Sequence, residues 1–154
     1  MKNITKSLTN NPDIIVWAFD FARKFYDEKT YQHAMRVAGY VSQNYAIPDV
    51  LVSDCVALAI MHDLLEDTKF KIHNTKLCTE EYSQFVIALK LLTKEKDESY
   101  KEYCECLSSN YCTTTAHLCA YFVKLADMKD HLNLKDTLTD KLKNKYLEGL
   151  AILL

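Results

Sequence analysis

The sequence predicts an all-α protein, and three observations carry that expectation. Only two Gly (Gly39, Gly149) and two Pro (Pro12, Pro48) occur in 154 residues, against about 18 at average usage. No Asn-Gly or Asp-Gly pair is present to form the positive-φ turn of a tight hairpin. Apolar residues recur instead at helical spacing along most of the chain. The expected architecture is a single compact bundle of about seven helices over residues 1–154, a length typical of one domain with its own core.

The elements follow in order. Asn11-Pro12-Asp13 supplies a capping side chain, a Pro for the first turn and an acidic residue ahead of Ile14, Ile15, Ala18, Phe19 and Ala22. A first helix from about Pro12 to Tyr26 is expected there. Lys29-Thr30 opens a second, with Ala34, Val37, Ala38 and Val41 on one side, running to Tyr45. Gly39 falls inside it at a cost of roughly 0.5–1 kcal/mol relative to Ala, so close approach of another helix backbone is expected at that point. Pro48-Asp49 starts a third segment, LVSDCVALAIMHDLL, which is apolar around nearly its whole circumference and reads as a buried central helix. A Thr cap before Glu80 and Glu81 starts a fourth, Thr79 to Leu92, and Asp97 to Leu107 makes a more polar fifth. After Ser108-Ser109-Asn110, an apolar sixth helix runs from His117 to Leu132 and an amphipathic seventh from Lys135 to Leu154. The end of the last, with Leu147, Leu150, Ile152, Leu153 and Leu154, suits packing on the core or a dimer seam, of which packing is the commoner outcome; the oligomeric state is open.

A net charge of -2 with 26% charged residues leaves no general basic field for nucleic acid. Attraction to an anionic ligand must be local. No apolar run reaches the roughly 18 residues of a membrane span, and MKNITKSLTNNPD lacks the apolar core of a signal peptide, so a cytoplasmic protein without membrane contact is expected. The six cysteines (Cys55, Cys78, Cys104, Cys106, Cys112, Cys119) then read as reduced thiols. Cys104, Cys106, Cys112 and His117 contain no C-x-x-C pair, and residues i and i+2 do not share a helical face. Buried or half-buried structural thiols are a better account of them than zinc.

Chemistry concentrates elsewhere. The apolar third helix ends in MHDLLEDT, with His62, Asp63, Glu66 and Asp67 within six residues. On a continuous helix His62 and Glu66 are i and i+4, as are Asp63 and Asp67, giving two adjacent polar stripes at the end of a hydrophobic rod. Burying such groups unpaired costs several kcal/mol each by general estimates, roughly 3–5, and the segment has no basic partner before Lys69. A divalent cation resolves the conflict. His33 in YQHAMRVA and Asp127 in VKLADM, a lone carboxylate beside Val123, Leu125 and Ala126, complete two imidazoles and two carboxylates. That set suits Mn²⁺, Fe²⁺ or Mg²⁺.

These residues resemble a known family. Tyr31, His33 and Val37-Ala38, then His62-Asp63 with Glu66-Asp67-Thr68, then Val123 to Asp127, are similar to the motifs of HD-domain phosphohydrolases. More narrowly they resemble the small alarmone hydrolases related to the hydrolase half of RelA/SpoT proteins, which remove pyrophosphate from the 3′ position of (p)ppGpp. Leu92-Thr93 through Tyr100 and Tyr103 also resembles the stretch between those motifs in bacterial HD proteins. The likeness runs from about Phe19 to Leu134.

The resemblance implies an HD-type helical bundle with a divalent metal, Mn²⁺ first and Fe²⁺ or Mg²⁺ as alternatives, held by His33, His62, Asp63 and Asp127. It implies that Glu66 and Asp67 position or deprotonate the attacking water, and that the partner is a small nucleotide. Tyr31, Lys29, Lys124 and His131 are the candidate substrate contacts. Lys124 has two readings, pairing with phosphate or reaching past its apolar neighbours to solvent. The sequence departs from the family twice. FYDEKTYQHA is shorter than the usual basic loop before the first His and offers only Lys29, and His131 stands where an Asn four residues after the last metal Asp is usual. His131 is open to replacing that Asn, adding a ligand or capping the helix end. Both departures leave the metal set intact and bear on the nucleotide, so a nucleoside monophosphate, a cyclic dinucleotide or a non-catalytic nucleotide-binding role stand as alternatives.

Overall fold

A computed structural model describes residues 6–154; residues 1–5, the start of the polar segment read against a signal peptide, lie outside the described residues. Eight α-helices follow in order: α1 Ile14–Phe25, α2 Glu28–Ser42, α3 Val52–Met61, the single turn α4 Leu64–Asp67, α5 Ser83–Leu91, α6 Tyr100–Asn110, α7 Thr115–Asn133 and α8 Asp140–Leu153. The seven longer ones are the seven expected. Short 3-10 turns lead into α3 and fill the connection from α4 to α5. No strand occurs among the described residues.

Local chemistry sets most boundaries. Asp27, Ser99, Thr114 and Thr139 each accept a hydrogen bond from a backbone amide of the first turn that follows, and Ser99 with Glu102 forms a full capping box. The last helix starts at Asp140, where the Thr139 side chain accepts from the Leu142 amide, rather than at Lys135. Asn11 acts one step earlier than a helix cap, its side chain accepting from the Asp13 amide at 2.9 Å, so α1 begins at Ile14. Thr79 precedes a 3-10 turn, Glu80–Tyr82, and α5 begins only at Ser83.

Helix α3 is the centre, packed against α1, α2, α5 and α7. Cys55, Ala57, Leu58, Ala59, Ile60 and Met61 are wholly buried, as an all-round apolar helix requires. Helix α8 closes over α6 and α7. Gly149 and Leu153 are buried there, while Leu147 and Leu154 remain exposed, so the tail packs on the core with half of its apolar face.

The close approach expected at Gly39 occurs at Gly149 instead. A Cβ on Gly39 would meet nothing within 4 Å, so no helix approaches it closely. A Cβ on Gly149 would stand 2.6 Å from Met128 Cε, 2.8 Å from Tyr100 Cε1 and 3.2 Å from Cys104 Sγ. Gly149 is the point that lets α8 lie against α6 and α7. The cysteines are free thiols, and Cys55, Cys104 and Cys119 are buried as expected, but Cys78, Cys106 and Cys112 are exposed rather than half-buried.

The N-terminal segment is pinned by a buried carboxylate. Asp54 on α3 accepts from Ser7 Oγ at 2.7 Å, the Leu8 amide at 2.7 Å and Thr9 Oγ1 at 3.0 Å. No helix among the described residues is long and apolar enough to cross a membrane.

Candidate functional site

The central helix does not continue through its polar end. Helix α3 stops at Met61, and Asp63 caps the separate turn α4. The His62 ring donates from Nδ1 to the Ala59 carbonyl at 2.6 Å, the group that the next helical amide would claim, and the Asp63 amide donates instead to Tyr26 Oη at 3.2 Å. The two continuous stripes expected for residues 62–67 are therefore replaced by a break. Its effect is to leave His62 buried at the end of α3, while Glu66 and Asp67 lie exposed at the rim.

Three helices meet at this break. His33 of α2, His62 and Asp127 of α7 are all buried, with one ligand atom from each within 4.8 Å of the others. His33 Nε2 lies 3.2 Å from His62 Nε2 and 3.0 Å from Asp127 Oδ1, and His62 Nε2 lies 3.4 Å from the same oxygen. An Asp63 oxygen is 3.3 Å from His62 Nε2 and 3.8 Å from His33 Nε2. Three of the four residues expected to bind metal, His33, His62 and Asp127, thus face one point, and Asp63 stands beside the two rings.

The far side of each ring fixes what that point requires. A carbonyl only accepts, so His62 Nδ1 carries a proton and Nε2 is the atom turned inward, its lone pair free once the ring is neutral. His33 Nδ1 stands 2.7 Å from Asp130 Oδ2, while Arg36 donates to both oxygens of Asp130 at 2.8 and 3.0 Å. Burial opposes the Asp130 charge, but the bonds from Arg36 and His33 outweigh it and hold the carboxyl below its ordinary range. Asp130 is thus ionised and His33 Nδ1 is the donor. With the rings neutral, two imidazole Nε2 atoms and the Asp127 carboxylate converge beside Asp63, a set that fits a divalent cation, each ring being oriented by a partner behind it; without a cation, ring protons bonded to Asp127 take that place. Asp130 and Arg36 are the parts that sequence reading missed. Their signal was a second carboxylate three residues beyond Asp127 and an Arg three beyond His33, both at helical spacing.

Protons register the same convergence. Burial lowers the His62 value, but the charges of Asp63 and Asp127 more than offset it and push it up to about 9. His33 moves the same way, burial being overcome by its bond to Asp127. Asp127 is held well below the carboxylate range: its burial is outweighed by the Lys124 ammonium and the bonds to His131, His33 and His62. Although exposed at the rim, Glu66 and Asp67 are partly desolvated by the cleft and are raised, with further pushes from Asp67 and Asp63 respectively, so both are stronger bases than free carboxylates.

A cleft of about 230 Å³ opens from this point. Asp63, Glu66, Asp67 and Asp127 line it together with Lys94, Lys124, Lys145, Tyr100, Tyr103 and Tyr146. Lys124 does not reach past its neighbours to solvent. Its ammonium donates to Asp127 Oδ2 at 2.7 Å and lies 5.6 and 5.3 Å from the ring centres of Tyr100 and Tyr103. His131 Nε2 is 3.1 Å from Asp127 Oδ1 and its ring stacks on Tyr146 at 4.6 Å, which puts it on the cleft wall.

Two expected substrate contacts are not brought to this cleft. Tyr31 lines a different groove with Arg23, Tyr26, Asp27 and Glu28, because two residues along a helix turn it roughly 200° away from His33. Lys29 is exposed on the first turn of α2. The cleft's lysines come instead from the α5–α6 connection, α7 and α8.

No protein-family model matches the chain, and no curated protein matches it in sequence. Among solved structures, a metazoan ortholog of SpoT, described as hydrolysing ppGpp and playing a role in starvation responses, superposes with a TM-score of 0.61 at 18% identity, covering 92% of this chain and 81% of that one. At that identity the likeness is one of fold. With no strand among the described residues, the chain shares the all-α fold of that structure, and its helices bring His33, His62 and Asp127 together.

Proposed function

We propose that the protein is a metal-dependent phosphohydrolase acting on a small nucleotide, a single domain over residues 1–154, with guanosine 3′,5′-bis(diphosphate) as the leading substrate. The reaction would be hydrolysis of (p)ppGpp to GDP or GTP and pyrophosphate. The observation that carries this reading is the convergence of the inward Nε2 atoms of His33 and His62 beside the Asp63 and Asp127 carboxylates, with two raised carboxyls at the rim. The fold shared with a metazoan ppGpp hydrolase supports it.

His33, His62, Asp63 and Asp127 would hold the divalent ion, Mn²⁺ in first place and Fe²⁺ or Mg²⁺ as alternatives. Such an ion, when bound, lowers the pKa of water and polarises a phosphoryl oxygen. The chain's own residues do the rest. Glu66 and Asp67, at the rim of the cleft and raised by burial, accept the proton of the attacking water. Asp130 keeps His33 in the correct tautomer, and the Ala59 carbonyl does so for His62. Lys124 places a positive charge where substrate oxygens enter, and His131 presents an imidazole to the nucleotide. Tyr31 and Lys29, outside the cleft, would serve only a part of the substrate that extends beyond it.

Their position favours a second reading, hydrolysis of a smaller or different nucleotide such as a nucleoside monophosphate or a cyclic dinucleotide. A nucleotide panel with and without Mn²⁺ separates the cases. Pyrophosphate release from ppGpp, abolished by His62→Ala and by Asp63→Ala, is the expected result. Turnover unaffected by either substitution overturns the mechanism, turnover of another nucleotide selects the second reading, and stoichiometric Mn²⁺ binding without hydrolysis makes the protein a binding module.

A further inference from the structure

Two phenols on the cleft wall have no structural use for their hydroxyls. Tyr103 Oη and Tyr100 Oη are both buried and without a hydrogen-bond partner in the protein, an exception to the rule that buried polar atoms are satisfied. Tyr103 is only 4% exposed, and both residues line the cleft. The Cys104 thiol adjacent to Tyr100 is at most a weak partner. The charged groups that bear on Tyr103 are Lys124, Asp127 and Glu66, and none of them bonds its hydroxyl.

The spacing follows from α6. Residues 100 and 103 are i and i+3, so their rings stand side by side, with centroids 6.3 Å apart, and project from one face. The capping box of Ser99 and Glu102 fixes the first turn of that helix. Lys124 lies against both rings from one direction, and Lys145 of α8 lies 4.4 Å from the Tyr100 ring centre from another. Two unpaired O–H donors and two ammonium groups therefore gather around the rings of α6, with Lys124 also bonded to Asp127. Carboxylates and ring nitrogens crowd the metal-facing side with acceptors, and this cluster supplies donors.

We infer that Tyr100 and Tyr103, together with Lys124 and Lys145, form an anion clamp that receives a phosphate or pyrophosphate group of the substrate by hydrogen bonds from the two phenols. The inference rests on the phosphohydrolase reading for the identity of the anion, and it replaces Lys29 as the source of the phosphate grip. A tetrahedral oxyanion offers several acceptor oxygens, enough for both hydroxyls and an ammonium. Burial raises both phenols, so they keep their protons and remain donors at neutral pH.

The test uses Tyr100→Phe, Tyr103→Phe and the double substitution in the full chain, because Phe keeps the rings and removes only the hydroxyls. Binding of inorganic pyrophosphate to metal-free protein is measured by calorimetry, with thermal unfolding and Mn²⁺ affinity alongside. Hydrogen bonds to a charged acceptor predict roughly tenfold weaker pyrophosphate binding per hydroxyl, with Mn²⁺ affinity unchanged. The melting temperature holds or rises, because each Phe removes an unpaired buried hydroxyl. No pyrophosphate binding by the unaltered chain, equal binding by the double variant, or a lowered melting temperature showing an internal partner for either hydroxyl overturns the clamp. If the unaltered chain hydrolyses no nucleotide but its pyrophosphate binding depends on the two hydroxyls, the hydrolase reading falls and the clamp stands. If hydrolysis proceeds with KM unchanged in the double variant, the reverse holds.

Discussion

Two buried carboxylates on neighbouring helices, Asp54 on α3 and Asp127 on α7, have opposite surroundings. Asp54 meets three neutral donors, the Ser7 and Thr9 hydroxyls and the Leu8 amide, all from one segment of chain. Its bonding is complete, and its consequence is structural: the N-terminal segment is fastened to the central helix. Asp127 shares one oxygen with three imidazole nitrogens, those of His33, His62 and His131, and its other oxygen accepts from Lys124. That arrangement needs something positive between its members. Burial alone therefore does not mark a functional carboxylate; the identity of the groups turned toward it does.

Substitution at each position should separate the two roles. Asp127→Ala is expected to reduce Mn²⁺ affinity by more than 100-fold, read by calorimetry, and to abolish turnover. Asp54→Ala should leave Mn²⁺ affinity within about threefold while costing roughly 3 kcal/mol in chemical denaturation, since it strands donors that had a charged acceptor. Equal metal affinities in the two variants would contradict the comparison. A step down in size, Asp130→Asn should weaken Mn²⁺ by about 10- to 100-fold, the usual effect of removing the group behind a ligating imidazole.

A pH series sharpens the same contrast. His62 is raised to about 9 in the folded chain. In metal-free protein the stability this contributes is fully present below the ordinary imidazole value near 6.5 and is lost as pH rises through about 9. Metal needs the neutral ring, so Mn²⁺ binding should release protons and tighten as pH rises across that window. Melting temperatures at pH 6.0, 7.25 and 8.5 should show the Mn²⁺-induced shift growing with pH; a shift that shrinks would refute the assignment of His62. The smallest effects concern the glycines. Gly149→Ala should destabilise by about 1–3 kcal/mol through overpacking against Met128 and Tyr100, and Gly39→Ala should stabilise by about 0.5–1 kcal/mol. Denaturation midpoints with the sign reversed at either site would place the close contact of α8 elsewhere.

What could be read from the sequence had a local cause. The all-round apolarity of residues 52–61 is enough to bury α3, whereas the caps read at Asn11 and Thr79 gave way to Asp27, Ser99, Thr114 and Thr139, which set helix starts the sequence reading placed within a few residues. His33, His62, Asp63 and Asp127 stood out because a charge in an apolar run conflicts with its neighbours, whatever the fold.

Features that needed two distant segments were not legible. The break at His62 depends on Tyr26, 37 residues away, taking the Asp63 amide. Asp130 gains its importance only because α2 brings His33 and Arg36 to it from 94 residues and more away. Helical spacing alone could not tell whether Gly39 or Gly149 met a neighbour, nor that Lys124 would turn inward to Asp127. The sequence by itself determined the helices and the residue types able to bind a cation. Tertiary structure decided which ring nitrogens converge, which hydroxyls are left without partners and which lysines face the cleft, because hydrogen bonding and burial are properties of pairs that the chain makes adjacent only when it folds.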